Sequence, residues 1–249
     1  DRFSRSVADF GRLWEILQEH NVEFVSVSEN FDTSSPMGRA MLHIIMVFAQ
    51  LERETTAERV RDNYYRRASL GSWPGGPAPY GFSIGRLQAP DGRSVPTLTA
   101  NENADIVLRI FEEYAVEGMS LGLLARKLTD QGICGPKRDT WDNVTLSRIL
   151  HNPAYAMADE QVRLYLLGQG ANITSPPDHF DGVHGVLLVG KRKASDRKYT
   201  SLKDNSASVM NSQGIVPADL WLRCQLKLDS NRQLGNSGKG TYTWLYGLL

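Results

Sequence analysis

The longest regular pattern of apolar and polar positions covers residues 34–71. Apolar side chains recur there at three- and four-residue spacing, which predicts one helix with a single apolar stripe. Ser34 and Ser35 are candidate N-cap residues, Pro36 suits the first helical position, and Gly71 suits the end. The stripe consists of Met37, Met41, Ile44, Ile45, Phe48, Leu51 and Thr55. A helix of this length spans about 50 Å, more than one small domain needs.

The two halves of this predicted helix differ in character. The first half is apolar, whereas residues 52–67 are dense in charge. We therefore expect the first half to pack on a core or on a partner subunit. The second half suits a polar partner, and nucleic acid is a candidate.

The segment before residue 34 predicts the end of an α/β unit. A helix with Val7, Phe10, Leu13, Trp14 and Leu17 on its apolar face is followed by a short strand over 22–27 and a polar turn. Helix, strand, helix is the order of an α/β fold. Because one strand cannot form a sheet, its partners must come from upstream residues or from another chain.

Glycine and proline mark the region after the long helix. Their density predicts a linker over 72–79 and a domain boundary there. Residues 84–98 are predicted to form a small hairpin or a loop around Pro90, Asp91 and Gly92, since this tripeptide favours a turn.

Three short helices are predicted next. The first begins at 101–104, the second is capped by Ser120 and stopped by Gly132, and the third covers 141–150. This order is typical of a helix-turn-helix. Three-helix units are also common as plain structure, so the pattern alone leaves both interpretations open.

The remaining pattern is weaker. Residues 162–167 and 183–189 are predicted as strands, and the polar stretches 168–180 and 194–212 as loops. A last helix is predicted over 217–234. Its candidate core positions are Leu220, Trp221, Cys224, Leu228 and Leu234. The predicted fold class is therefore α+β and mostly helical.

Composition narrows the class of protein. A chain of 249 residues suggests one large or two ordinary domains, and no apolar run is long enough for a membrane span. Cys134 and Cys224 form no CxxC pair, so neither a disulfide framework nor a zinc site is indicated, and a reducing cytoplasm fits best. The formal net charge is zero, but basic clusters at 59–67, 137–138 and 191–198 suit either solvent or DNA.

One pair of basic residues suggests phosphate chemistry. Arg2 and Arg5 are three positions apart, so in a helical turn both guanidinium groups can point one way. Such groups bind phosphate through two parallel hydrogen bonds and stabilise charge that builds on its oxygens. The alternative is that both arginines are surface ion-pair partners. The histidines are scattered, and no phosphate-binding glycine loop is present.

Several motifs together carry a family resemblance. DRFSRS, FVSVSENFDTSSPMGRAML and FAQLERETTAERV resemble the second half of the catalytic domain of serine site-specific recombinases, in particular large serine integrases and transposon recombinases. GGPAPYGF, NENADIVLRIFEEYAVEGMSLGLLARKLTDQGI and WDNVTLSRILHNPAY resemble the recombinase DNA-binding domain of that subfamily. GIVPADLWLRCQLKL and TYTWLYGLL resemble the segment that leads into its zinc ribbon.

The resemblance implies domains and an active site. Residues 1–71 correspond to the C-terminal part of a resolvase-like catalytic domain, and 80–249 to the DNA-binding domain. Arg2 and Arg5 match the arginines that bind the scissile phosphate, and Asp1 matches the acidic residue before them. Glu58 and Arg59 match a glutamate and an arginine near the active site. The family reaction is serine attack on a DNA phosphodiester, giving a 5′-phosphoserine linkage, followed by subunit rotation and religation without a high-energy cofactor.

The sequence departs from the family pattern at both ends. The nucleophilic serine lies upstream of the arginine motif in the family, and the zinc-ribbon cysteines lie downstream. We therefore expect an incomplete and by itself inactive chain, with zinc only in the following ribbon and no cofactor of its own.

The expected partner is double-stranded DNA at a recombination site. The family also implies a homodimer, a tetramer in the synapse, a directionality factor, and a cytoplasmic, nucleoid-associated location. The candidate DNA contacts are Arg66, Arg67, Arg126, Lys127, Lys137, Arg138, Thr145 and Arg148. Two rival interpretations are a DNA-binding regulator without enzymatic activity and a helical protein that dimerises through residues 37–51.

Overall fold

The chain divides into two compact units, Asp1–Tyr64 and Tyr65–Leu249. The computed structural model describes residues 16, 17, 19, 20, 22, 25, 26, 31, 32, 35–89, 92–190, 202 and 205–231. Helices prevail over strands, and the sheets are small, so the predicted α+β, mostly helical class is confirmed.

Helix α1, Pro36–Ser69, is the longest element and confirms the predicted long helix. Its start is capped as expected, because the Ser35 hydroxyl accepts a hydrogen bond from the Gly38 amide at 3.0 Å. The predicted apolar stripe is largely uncovered: Met37 is 78% and Phe48 65% exposed, while Ile45 is half-buried. The stripe therefore has no core of its own to pack on within the part of the first unit that the structure describes.

The first unit also contains a two-stranded antiparallel ladder. Strand β1, Val25–Ser26, pairs with β2, Phe31–Asp32. Of the strand predicted over 22–27, Val25 and Ser26 are in a strand and Val22 is not, and the other positions lie outside the described residues. The predicted N-terminal helix lies outside the described residues except for Ile16, Leu17 and Glu19, which are helical.

The last turn of α1 belongs to the second unit and is hydrogen-bonded to it. The buried Ser208 hydroxyl donates to the Ala68 carbonyl at 2.6 Å, and the Asn211 side chain donates to the Leu70 carbonyl at 3.2 Å. Gly71 has φ +70°, and a Cβ there would lie 2.5 Å from the Val209 carbonyl oxygen, so only glycine fits. Ser72 beyond it is buried in the same unit. As a domain boundary, the linker at 72–79 stays a prediction.

A hairpin follows, as predicted. Strands β3, Phe82–Gln88, and β4, Ser94–Ala100, pair antiparallel along their whole length. The hairpin is fixed to the rest of the unit by the buried Ser212 hydroxyl. It lies 2.8 Å from the Thr97 hydroxyl and accepts from the Leu98 amide at 2.9 Å.

A three-stranded sheet forms the second β layer. Its order is β5 (Asn172–Ile173), β7 (Asn205–Gln213), β6 (His184–Gly190), with β5 parallel and β6 antiparallel to β7. Strand β6 confirms the prediction over 183–189. The predicted loop over 194–212 is wrong for 205–212, because serines on β7 are buried with their hydroxyls hydrogen-bonded. The other residues of that predicted loop lie outside the described part, apart from Leu202.

The described part of the second unit contains five further α-helices. They are α2 (Ala104–Ala115), α3 (Leu121–Asp130), α4 (Asn143–Leu150), α5 (Glu160–Gly168) and α6 (Ala218–Ser230). The first three and the last confirm predicted helices; in α6, Leu220, Trp221 and Cys224 are buried as expected, Leu228 is half-buried, and Leu234 lies outside the described residues.

Helix α5 corrects the strand predicted over 162–167. The Asp159 carboxylate accepts from the amides of Gln161 and Val162, both at 3.0 Å, which caps a helix start. The buried Val162 and Leu166 are four positions apart, the helical spacing. A short apolar run therefore does not by itself distinguish a strand from a helix.

One apolar core joins the helices and sheets of the second unit. Its largest fully buried side chains include Trp221, Tyr114, Tyr155, Phe111 and Ile110. Within the described residues, no helix is long and apolar enough to cross a membrane.

Candidate nucleic-acid interface

Helices α3 and α4 form a fixed helix–loop–helix pair. The Ser120 hydroxyl caps α3 by accepting from the Leu123 amide at 3.2 Å. Between the helices, the indole N–H of Trp141 donates to the Ile133 carbonyl at 2.9 Å, and the backbone amide of Trp141 donates to the Thr129 hydroxyl at 3.1 Å. The end of the loop is therefore tied to the last turn of α3 through Thr129 and to the start of the loop through Ile133.

Helix α4 is capped by Asp142. One carboxylate oxygen accepts from the Thr145 amide at 2.7 Å and the other from the Thr145 hydroxyl at 3.0 Å. These two bonds hold the pKa of the Asp142 carboxyl below its usual range, and the charge of Arg138 acts in the same direction. The cap is thus an ionised carboxylate at neutral pH, at the helix end that favours negative charge.

The other end of α4 is held by a buried amide. Gln225 of α6 is 2% exposed and donates from Nε2 to the Leu150 carbonyl at 2.6 Å. Leu146, Ile149 and Leu150 bury the inner face of α4. Because both ends and the inner face of α4 are fixed, the direction of its outer face is fixed as well.

The outer face of α4 is polar with one exception. Asn143 and Arg148 are exposed there, and Val144 is 59% exposed. The Arg148 side chain makes no hydrogen bond or ion pair with any residue that the structure describes. Thr145, predicted as a DNA contact, is half-buried, and its hydroxyl proton is used by Asp142.

A tight turn before α4 presents two more basic residues. The Gly135 amide donates to the Arg138 carbonyl at 2.9 Å. A Cβ at Gly135 would lie 2.9 Å from the Thr140 carbonyl oxygen, so the turn admits little more than glycine. Lys137 and Arg138 are exposed at this turn, as the predicted interface requires.

Two neighbouring basic residues of α3 differ in their surroundings. Lys127 Nζ lies 3.2 Å from the carboxylate of Glu113, which also binds Arg109 Nε at 2.9 Å. The Glu113 side chain is only 15% exposed. Arg126 is exposed and makes no such pair among the described residues. Arg126 is therefore better placed than Lys127 to meet a ligand.

The predicted active-site set cannot be assembled from the described residues. Glu58 and Arg59 are exposed on α1, and Arg66 and Arg67 are exposed in its last turns. Asp1, Arg2 and Arg5 lie outside the described residues, so their roles stay predictions. No cluster of three or more histidine, cysteine, aspartate or glutamate side chains suited to a metal occurs in the part of the chain described.

Sequence reasoning missed four residues of this interface. Asp142 and Gln225 fix α4, and Asn143 and Val144 form its outer first turn. Asp142 could have been found, because aspartate directly before a helical pattern favours a cap. Gln225 carries no such indication, since its partner lies 75 positions away.

Comparisons with known proteins give a consistent result. The family model described as "Resolvase, N terminal domain" matches residues 1–73, and the model described as "Recombinase" matches 101–231. The chain is 34% identical over 84 residues to the transposon Tn917 resolvase of Enterococcus faecalis, covering 34% of this chain and 46% of that protein. It is 39% identical over 61 residues to a DNA-invertase of Escherichia phage P1, covering 24% of this chain and 33% of that protein.

A longer match extends past the first unit. The chain is 29% identical over 163 residues to a probable DNA-invertase, y4cG, of Sinorhizobium fredii, covering 66% of this chain and 47% of that protein. The chain thus spans about half or less of the length of these curated relatives.

Proposed function

Since this chain belongs to the serine recombinase family, whose recombinase model matches more than half of its 249 residues, we propose that it acts in site-specific DNA recombination. Its second unit binds double-stranded DNA beside the crossover point. Its first unit supplies part of the active site.

The observation that carries this proposal is the outer face of α3 and α4. Arg126 and Arg148 are exposed there, and Lys137 and Arg138 are exposed on the turn between the two helices. An α-helix fits the major groove, and flanking basic side chains bind phosphate oxygens. Because α4 is fixed at both ends, its outer face is pre-organised for such a contact.

In the first unit, the proposed chemistry is phosphoryl transfer on DNA. Arg2 and Arg5 bind the scissile phosphate, with Asp1 beside them, and Glu58 and Arg59 lie near the reacting group. Arginine stabilises the charge that develops on phosphate oxygens during attack by a serine hydroxyl. The match of residues 1–73 to the resolvase domain supports these roles. Attack forms the 5′-phosphoserine bond and breaks the bond between phosphorus and the 3′ oxygen, which leaves as a 3′-hydroxyl. Religation reverses this exchange, so the phosphodiester energy is conserved.

The exposed stripe of α1 supports an assembly of subunits. An uncovered row of large apolar side chains is unfavourable in water and favours burial against another chain. We propose a homodimer through α1, with two dimers joining as a tetramer when two sites are paired.

Alanine variants of the outer face test the DNA-binding proposal. Arg148→Ala and Arg126→Ala should each weaken binding to duplex DNA, measured by fluorescence anisotropy with the full chain. A lost base contact costs about 1–3 kcal/mol, roughly 5- to 150-fold in affinity, and a lost phosphate contact costs less.

The matched control is Arg223→Ala. Arg223 is an exposed arginine of α6. It lies two positions before Gln225, the residue that binds the last turn of α4, and so points about 200° around the helix from it. It should leave the affinity within twofold. If Arg223→Ala weakens binding as much as Arg148→Ala, total charge rather than this face governs binding, and the proposal is wrong.

A further inference from the structure

Val144 is the one apolar residue on the exposed face of α4. It occupies the first turn of α4 and is 59% exposed, next to the exposed Asn143 and one turn before the exposed Arg148. The inner face of the helix is already filled by Leu146, Ile149 and Leu150. Val144 therefore adds nothing to the apolar core of the unit.

The side chain of Val144 also has no part in the cap. The Asp142 carboxylate accepts from the amide and hydroxyl of Thr145 and from the backbone of Val144. Valine is among the weaker helix formers, since its branched side chain loses rotamer freedom in a helix. Neither packing nor helix stability accounts for an exposed valine at this position.

The DNA major groove offers one apolar group on its base edges. That group is the C5 methyl of thymine, and all other readable groups there are hydrogen-bond donors or acceptors. The N-terminal residues of a groove-bound helix are the ones that reach base edges. Val144 has the chemistry and the position to contact this methyl group.

We propose that Val144 is a specificity-determining residue that contacts the methyl group of one thymine in the recombination site. The inference rests on the proposed function, because it requires α4 to lie in the major groove. The surrounding charge supports that occupant: Arg148 is exposed one turn further along α4, the charge of Arg138 acts on the capping Asp142, and polyanionic DNA complements both cations.

The test begins with selection from a randomised duplex pool by the full chain. Wild-type protein and Val144→Ala are carried through selection in parallel and their selected sequences compared. The wild-type set should contain a thymine position that becomes unselective in the Val144→Ala set, while every other position is kept. The control Val116→Ala removes a valine of matched exposure, 58%, beyond the end of α2, and should select the wild-type sequence.

A second measurement isolates the methyl group. In the selected duplex, uracil replaces the thymine and removes only its C5 methyl group. Wild-type affinity should fall about fourfold, the factor expected when one buried methyl group is lost. Val144→Ala should bind the thymine and uracil duplexes equally. Because Val144 is exposed, the variant should keep the wild-type melting temperature.

The outcomes separate the two proposals. If the wild-type chain selects no sequence, both the proposed function and this inference fail. If it selects a sequence that Val144→Ala also selects unchanged, or if uracil weakens both proteins equally, the proposed function stands and the role of Val144 is refuted.

Discussion

At the scale of single residues, the two cysteines show how burial decides chemistry. Cys224 is fully buried, and its thiol donates to the Phe111 carbonyl at 3.4 Å. Burial raises the pKa of this thiol to about 12, although the charges of Arg223 and Lys227 oppose the shift. Cys134 is exposed in the loop between α3 and α4. Only the thiolate is nucleophilic, so the two thiols should differ strongly in reactivity.

Alkylation at pH 8 measures this difference. Iodoacetamide should modify Cys134 and leave Cys224 unmodified in the folded protein, and both should react in urea, as mass spectrometry of tryptic peptides would show. The raised pKa of Cys224 also links the stability of the fold to pH. Its contribution to the free energy of unfolding is fully present below about pH 8.5, the ordinary pKa of a thiol. That contribution is lost as the pH rises toward 12. Rapid modification of Cys224 without urea would contradict the account.

Two adjacent basic residues show which feature of the interface the sequence could not predict. Lys127 and Arg126 are adjacent and both basic, and the sequence predicted both as DNA contacts. The structure pairs Lys127 with Glu113, and that pairing depends on how α2 and α3 pack. Local sequence holds no information on such a partner. Residue type and helical spacing could identify the face, but tertiary contacts decide which of its cations remain unpaired.

At the scale of elements, α4 is held at its start by a neighbouring residue and at its end by a residue that is distant in sequence. Asp142 precedes it directly, and Gln225 reaches its last turn from α6. One of the elements that prediction got wrong, β7, also depends on distant partners. The polar run that forms β7 is a strand because Ser208 and Ser212 hydroxyls find buried partners in α1 and β4. A pattern of apolar positions cannot reveal a strand whose buried face is partly polar.

Gln225→Leu tests how α4 is held. The change keeps the size of the side chain roughly but leaves the Leu150 carbonyl buried without its donor. The expected loss in the free energy of unfolding is about 1–3 kcal/mol, visible as a lower urea midpoint. Gln161→Leu, an exposed glutamine of α5, is the control and should change stability by no more than about 0.5 kcal/mol. Equal midpoints for the two variants would show that the amide is dispensable.

At the scale of the whole molecule, the charges of this chain are balanced but unevenly distributed. The formal net charge is zero. Exposed cations nevertheless cluster on α3, on α4 and on the turn between them, while the acidic Glu113 nearby is already paired. Local fields, not the net charge, govern association with a polyanion. The fold class and the helices of the second unit other than α5 followed from periodicity, whereas this distribution required the packing of the second unit.

The most direct measurement of the central claim is the salt dependence of DNA binding. The full chain is titrated with its selected duplex, or with a randomised duplex pool, between 50 and 200 mM salt. Four phosphate contacts by Arg126, Lys137, Arg138 and Arg148 would give a slope of about −3.6 in log affinity against log salt, a loss of roughly 100-fold over this range. Arg126→Ala with Arg148→Ala should reduce the slope by about 2. Affinity that does not change with salt, or a slope that the double variant leaves unchanged, would contradict the account.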